Sequence, residues 1–226
     1  MIGPSIANVL PLAVGVLVSP LPIIAVILML LSPRARSNGP AFLVGWIVGL
    51  SVVSAVVYAI SDGANVSSNS SASDSTSVLK MVLGASLVLM GYRHWKNRPR
   101  DGASAPPPRW MAAIDRVTPV RAVALAVGLS AVNPKNLILT IGAATTVAQA
   151  GLSTGDAVVV LAVFVAVASL SILAPVVIDF AARDRAQRML DTWKVWLEEN
   201  NATVMAVLLF VIGIDLFAKG LGPVTS

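Results

Sequence analysis

The sequence has no cysteine and a single histidine, His94. The first absence excludes disulfides, thiolate metal sites and cysteine nucleophiles. The second leaves little for a metal or a catalytic base, and no group of His, Asp and Glu stands at metal-ligand spacing. A nucleophile elbow and a phosphate-binding glycine loop are missing as well. The sequence therefore points away from an enzyme: no catalytic residue, no cofactor and no metal is expected. Charge is scarce too, at 12% of 226 residues against 56% hydrophobic. What the chain has instead is apolar runs of the ~20 residues that cross a bilayer core. It reads as an all-α integral membrane protein. No basic residue precedes the first apolar run, which is also too long for a signal peptide's core, so no cleavable signal is expected.

Two of the apolar runs are interrupted. Ser130-Ala131-Val132-Asn133-Pro134-Lys135-Asn136-Leu137 lies inside a long apolar segment. Amides and a lysine belong in hydrocarbon only where they face protein or a water-filled cavity. The spelling is that of a helix start, with Asn133 as N-cap and Pro134 at the first helical position, where no N–H is needed. Ser19-Pro20-Leu21-Pro22 has the same grammar. Pro20 and Pro134 lie 114 positions apart, about half of the 226 residues. Interrupted spans at matching places in two halves are the best sequence pointer to a transporter's binding site.

Six spans are expected: about Ile6–Leu31 (broken at Ser19–Pro22), Ala41–Ile60, Val78–Tyr92, Val120–Ala150 (broken at Asn133), Ala157–Phe180 and Ala202–Leu221. Trp46 and Tyr58 are read as interface anchors of the second span, and Pro175 predicts a kink in the fifth. Asp62 to Ser77 reads as a loop rich in Ser and Asn. Ala181 to Asn200 reads as an amphipathic helix lying in the membrane interface. The organisation is a first three-helix repeat (1–92), a basic Pro-rich linker (93–119) and a second three-helix repeat (120–226) that includes the helix at 181–200.

Lys and Arg cluster after the first, third and fifth spans; outside those places only Lys80, Lys135 and Lys219 remain of the 16. Those loops are therefore cytoplasmic and both termini lie outside. The net charge of +5 is thereby used for topology, and no nucleic-acid partner is expected. Three spans per half put the halves in opposite orientation, the condition for an inverted repeat.

Each break offers a helix N-terminus with unpaired N–H groups, and Lys135 adds a full positive charge. Ser19, Pro20, Pro22, Asn133, Pro134, Lys135, Asn136 and Thr140 are the candidate substrate-binding residues, suited to an anionic group. The competing reading is that the prolines only kink packed helices and Lys135 snorkels or pairs with a carbonyl. Asp179 and Asp215 are candidates for proton coupling; local pairs with Arg183 and Lys219 at i+4 would explain both. Gly45-Trp46-Ile47-Val48-Gly49 is a small-xxx-small packing pattern. Ser51, Ser54 and Tyr58 form a stripe that either lines a path or bonds across helices. His94 reads as solvated, and the sequons at Asn65, Asn69 and Asn201 carry little weight.

At these motifs the sequence resembles the lysine-exporter (LysE) superfamily of small inverted-repeat exporters. A Pro-Gly-Pro signature in the first span is typical of its amino-acid exporters; here Ser19-Pro20-Leu21-Pro22-Ile23-Ile24-Ala25 stands in its place. That form, with Asn133-Pro134-Lys135-Asn136-Leu137 and the long basic linker, is more similar to the GAP family, the peptidoglycolipid- and sulfolipid-addressing proteins of actinobacterial envelopes. The resemblance covers nearly the whole chain. It implies a role in moving envelope glycolipids across, or beyond, the plasma membrane, with membrane lipids and a glycolipid substrate as partners.

Three functions are thus in play. The first is an exporter of an envelope glycolipid or its precursor. The second is a proton-driven exporter of a small amino acid or ion, which would need Asp179 or Asp215. The third is a non-transporting partner of a lipid synthesis or export complex, docking through Ala181–Asn200 and the Arg93–Arg121 segment. A homodimer is compatible with each.

Overall fold

The computed structural model describes residues 2–67, 72–97, 117–181 and 183–221, with side chains at all of these except 64–67, 72–76 and 183–187. Most of the expected linker, and the sequon at Asn69, lie outside the described residues. Among those described, every regular element is helical: α1 (Ile2–Leu17), α2 (Pro20–Leu30), α3 (Ala35–Ser67), α4 (Ala72–Lys96), α5 (Pro119–Val127), α6 (Pro134–Ala148), α7 (Thr154–Ala181) and α8 (Arg183–Leu221). A π-helical turn, Gly128–Val132, prolongs α5 up to Asn133.

Both expected breaks are present. α1 and α2 meet at a bend of 54°, and α5 with its π turn meets α6 at 64°. Pro20 and Pro134 each stand at the first helical position. Between α6 and α7 the chain reverses through Gly151, whose φ of 60° would strain any side chain. Ser153 Oγ then accepts from Asp156 N at 3.2 Å and caps α7.

Among the described residues, α3, α7 and α8 are each long and apolar enough to cross a membrane, and each bent pair counted as one span raises the number to five. α4, whose first five residues have no described side chains, is not in that count. The packing is layered around the breaks. α3 lies on α5, α6 and α7; α1 lies on α6 and α7; α4 pairs with α8. The expected packing pattern at Gly45 and Gly49 is used this way: Gly45 abuts the Val123 backbone and Gly49 the Ser130 hydroxyl. The α4–α8 pair is closer still. A Cβ on Gly84 would meet the backbone of Gly213 and Phe217, and one on Gly220 the backbone of Ser77 and Met81. Small residues are what let two helix backbones approach so far.

Three expectations change. The segment 181–200 is not a separate helix, because α8 runs unbroken from Arg183 to Leu221. No glycine or proline stands near Asn200 to stop it, and the Asn200 amide donates to Trp196 O at 2.9 Å within the helix. Its apolar stripe is only partly covered: Leu190 and Leu197 are buried, whereas Trp193 and Trp196 are exposed and line an open groove of about 510 Å³ with Ile23 of α2 and Ser171, Ala174 and Pro175 of α7. Pro175 lies inside α7, which continues past it. The Asp62–Ser77 loop is shorter than expected, with α3 running to Ser67 and α4 starting at Ala72. Trp46 is no interface anchor: it is fully buried, well inside α3.

Candidate functional site

The two breaks pack against each other at the centre of the molecule, and polar groups cross between them. A helix that stops leaves its last carbonyls without donors. At the end of α1 this loss is severe. Ser19 N turns back to Leu17 O at 3.0 Å and so leaves Gly15 O without its helical donor. Val18 O would receive from residue 22, but Pro22 has no N–H. Lys135 supplies both missing bonds. Its Nζ donates to Gly15 O at 2.7 Å and to Val18 O at 3.1 Å, with Met205 Sδ at 3.9 Å. The side chain is 2% exposed. The ammonium therefore sits on the carbonyl end of α1, where the helix dipole favours a cation.

Asn136 makes the second link. Its Oδ1 accepts from Ser19 Oγ at 3.0 Å, and its Nδ2 donates to Leu129 O in the π turn at 3.0 Å. One buried amide thus ties the first break to the second. Asn133 caps α6 as its sequence position implies, accepting from Lys135 N at 3.1 Å. Ser19 departs from its expected role. It occupies the N-cap position of α2 in extended backbone but makes no side-chain cap bond. A cap reaches the N–H of the second or third helical residue, and the third is Pro22. Its hydroxyl is free to go to Asn136 instead. Pro20 and Pro22 are buried beside it.

Thr140, one turn beyond Asn136, is fully buried with its Oγ1 unpartnered. Asp215 pairs with Lys219 at 2.9 Å, as the i+4 spacing implies. Asp179 is buried in the last turn of α7, and the side chain of its expected partner Arg183 lies outside the described residues. The breaks thus bring together Ser19, Pro20, Pro22, Asn133, Pro134, Lys135 and Asn136, whereas Asp215 stands apart on α8.

His94 is half-buried rather than solvated. It lies in the last turn of α4, two residues past the apolar run Val78–Tyr92. Burial first, and then the positive charge of Lys135, hold its imidazole below the usual histidine range. Of the stripe Ser51, Ser54 and Tyr58, the two serines line an open apolar groove of about 600 Å³ between α3 and α7, and Tyr58 does not. The Ser54 hydroxyl is buried there without a partner.

Residues beyond the sequence reading also take part. Gly15, Val18 and Leu129 contribute only main-chain carbonyls, for which a side-chain pattern holds no signal. The glycines of the α4–α8 contact did leave one: Gly84 and Gly91, like Gly213 and Gly220, are seven apart, one helix face over two turns.

The family described as "Sap, sulfolipid-1-addressing protein" has a model that matches residues 9–222. No curated protein and no solved structure matches the chain.

Proposed function

The chain belongs to the sulfolipid-1-addressing protein family, and from that membership and the packing of its two helix breaks we propose that it exports an envelope glycolipid, or a precursor of one, across the plasma membrane. In this reading α4 is the sixth span, and the halves are inverted three-helix repeats related to those of the LysE superfamily. The loops after the first, third and fifth spans are cytoplasmic. The protein performs no covalent chemistry. Its part is to admit a polar headgroup between the breaks while acyl chains stay in lipid or in the α3–α7 groove.

One observation carries this reading: Lys135, Asn136 and Ser19 bond break to break across the interface of the halves. Buried polar groups at such a place are costly unless paired. The pairs seen here are ones that a headgroup's hydroxyls or anionic oxygens can replace, since they present the same donors and acceptors. Exchange of protein partner for substrate is how a closed site becomes an occupied one.

A second reading has its own support. Lys135 is fully engaged by carbonyls, which suits a structural lysine in a non-transporting partner of a lipid synthesis or export complex. Surface glycolipid separates the two, measured in a host lacking the gene and complemented with wild type, with Lys135→Ala or with a deletion of residues 98–116. Membrane levels must be equal. Export through the breaks requires that wild type restores the lipid and Lys135→Ala does not. Restoration by Lys135→Ala but not by the linker deletion transfers the role to docking. No change between host and complemented host ends the lipid reading.

A further inference from the structure

Away from the breaks, the outer part of the bundle holds a small polar cavity of about 200 Å³. It is lined by Asn8 and Leu12 of α1, Lys80 of α4, Thr146 of α6, and Asp215, Leu216 and Lys219 of α8. Four helices from both halves contribute. Its charges do not balance. Asp215 is taken by Lys219 at 2.9 Å. No carboxylate among the described residues lies within ion-pair distance of Lys80, which is half-buried in the wall of the cavity. Among the described residues, two ammonium groups there share one carboxylate. Thr146 adds no donor, because its hydroxyl is spent on Gly142 O at 2.7 Å. The Asn8 amide remains able to donate.

A half-buried cation without a counter-charge calls for an anion. We propose that this cavity binds a sulfate- or phosphate-type oxyanion, held by Lys80, Lys219 and the Asn8 amide. The cavity volume suits a tetrahedral oxyanion with part of the group that bears it. Asp215 has two effects: it positions Lys219, and it opposes the anion. It therefore keeps the site weak, which a site that must also release its ligand requires. The lining positions lie toward the start of α1, the start of α4 and the end of α8, away from the Lys96 end of α4. Assigning the oxyanion to a lipid headgroup rests on the export reading above, and there the cavity is the receiving end of the path. The oxyanion chemistry does not depend on it.

The test uses the full-length protein purified in a neutral detergent, with thermal unfolding followed against added octyl sulfate, inorganic sulfate and octyl glucoside. Octyl sulfate is expected to raise the melting temperature saturably, and octyl glucoside to leave it unchanged. Lys80→Gln should weaken the octyl sulfate response by about tenfold, the scale of one charged hydrogen bond, and Lys80→Arg should retain most of it. Asp215→Asn should strengthen it, because a repelling charge is removed. Equal responses in wild type, Lys80→Gln and Asp215→Asn would overturn the site. Inorganic sulfate as potent as octyl sulfate, with the same dependence on Lys80, keeps the oxyanion site and overturns its assignment to a lipid. Surface glycolipid in the complemented host is read separately, so failure of the export reading leaves the binding result standing.

Discussion

Lys135 places its ammonium 2.7 Å from the carbonyl oxygen of Gly15, a residue 120 positions earlier in the chain. The lysine opens the helix after one break and closes the helix before the other. Neither break is complete by itself: the carbonyls freed in the first half are satisfied only by a side chain of the second.

Replacing Lys135 with Met keeps an unbranched side chain, one atom shorter, and removes the donors. Gly15 O and Val18 O are then left buried without partners, at about 1–3 kcal/mol for each unsatisfied group. Thermal unfolding in detergent should shift down accordingly. Lys135→Arg should not rescue, since a planar guanidinium does not fit a cradle shaped for an ammonium. Wild-type stability in Lys135→Met would remove the structural role.

Ser19 and Asn136 should be energetically coupled. Ser19→Ala leaves Asn136 Oδ1 without its donor and should cost about 1 kcal/mol. In Asn136→Ala the same Ser19 change should cost much less. A double-mutant cycle reads the difference, expected at about 0.5–1.5 kcal/mol. Strict additivity would mean that the bond contributes nothing.

Gly84→Ala puts a methyl into the backbone of Gly213 and Phe217. Overpacking of this kind costs about 1–3 kcal/mol, and yield in the membrane should fall with it. Gly128→Ala is the control, since nothing lies within 4 Å of a Cβ there. It should be neutral or slightly stabilising. Like losses at the two glycines would argue against the close α4–α8 contact.

Thr140→Val deletes a buried hydroxyl that has no partner. Stability should rise by about 1 kcal/mol, because an unpaired polar group is replaced by a methyl of similar volume. If the hydroxyl serves the substrate, surface glycolipid should fall in the same variant. Opposite signs in stability and export are the expected outcome; a gain in stability with full export would leave Thr140 without a role.

His94 gives a pH dependence. Its imidazole is held below the ordinary histidine value of 6.5 by burial and then by Lys135. The unfolded chain therefore takes up a proton at a higher pH than the folded one. The contribution of the neutral, half-buried ring is present above about pH 6.5 and is lost as the pH falls through the lower folded value. Melting temperature should drop on acidification through that window, and His94→Gln should flatten the drop. An unchanged profile in the variant would assign the acid sensitivity to other groups.

How much of this was legible in the sequence depends on the range of the interaction. Pro20, Asn133 and Pro134 announce helix starts through rules that act within three or four residues, so both breaks are where the spelling puts them. The Asp215–Lys219 pair is legible for the same reason. That Lys135 pairs with a carbonyl was one of the two readings open, but which carbonyls it reaches was not legible: that depends on a carbonyl orphaned because Pro22 lacks an N–H, and on the approach of segments more than a hundred residues apart. Ser19 looked like a cap, yet Pro22 removes one of the N–H groups it would have capped. The apolar stripe of 181–200 was legible, but not what it covers. A stripe that packs only in part on α2 and α7 has the same pattern as one facing lipid, so Trp193 and Trp196, both exposed, could not reveal that α8 runs on through Asn200.

The glycine-lined contact between α4 and α8 has a mechanical meaning. With main chain against main chain at Gly84, Gly213 and Gly220, the two helices cannot slip past each other by a turn without driving side chains into backbone. They behave as a single plank. A rearrangement that opens the centre must then come at the breaks, where the end of α1 and the start of α6 are fastened to each other by exchangeable polar bonds.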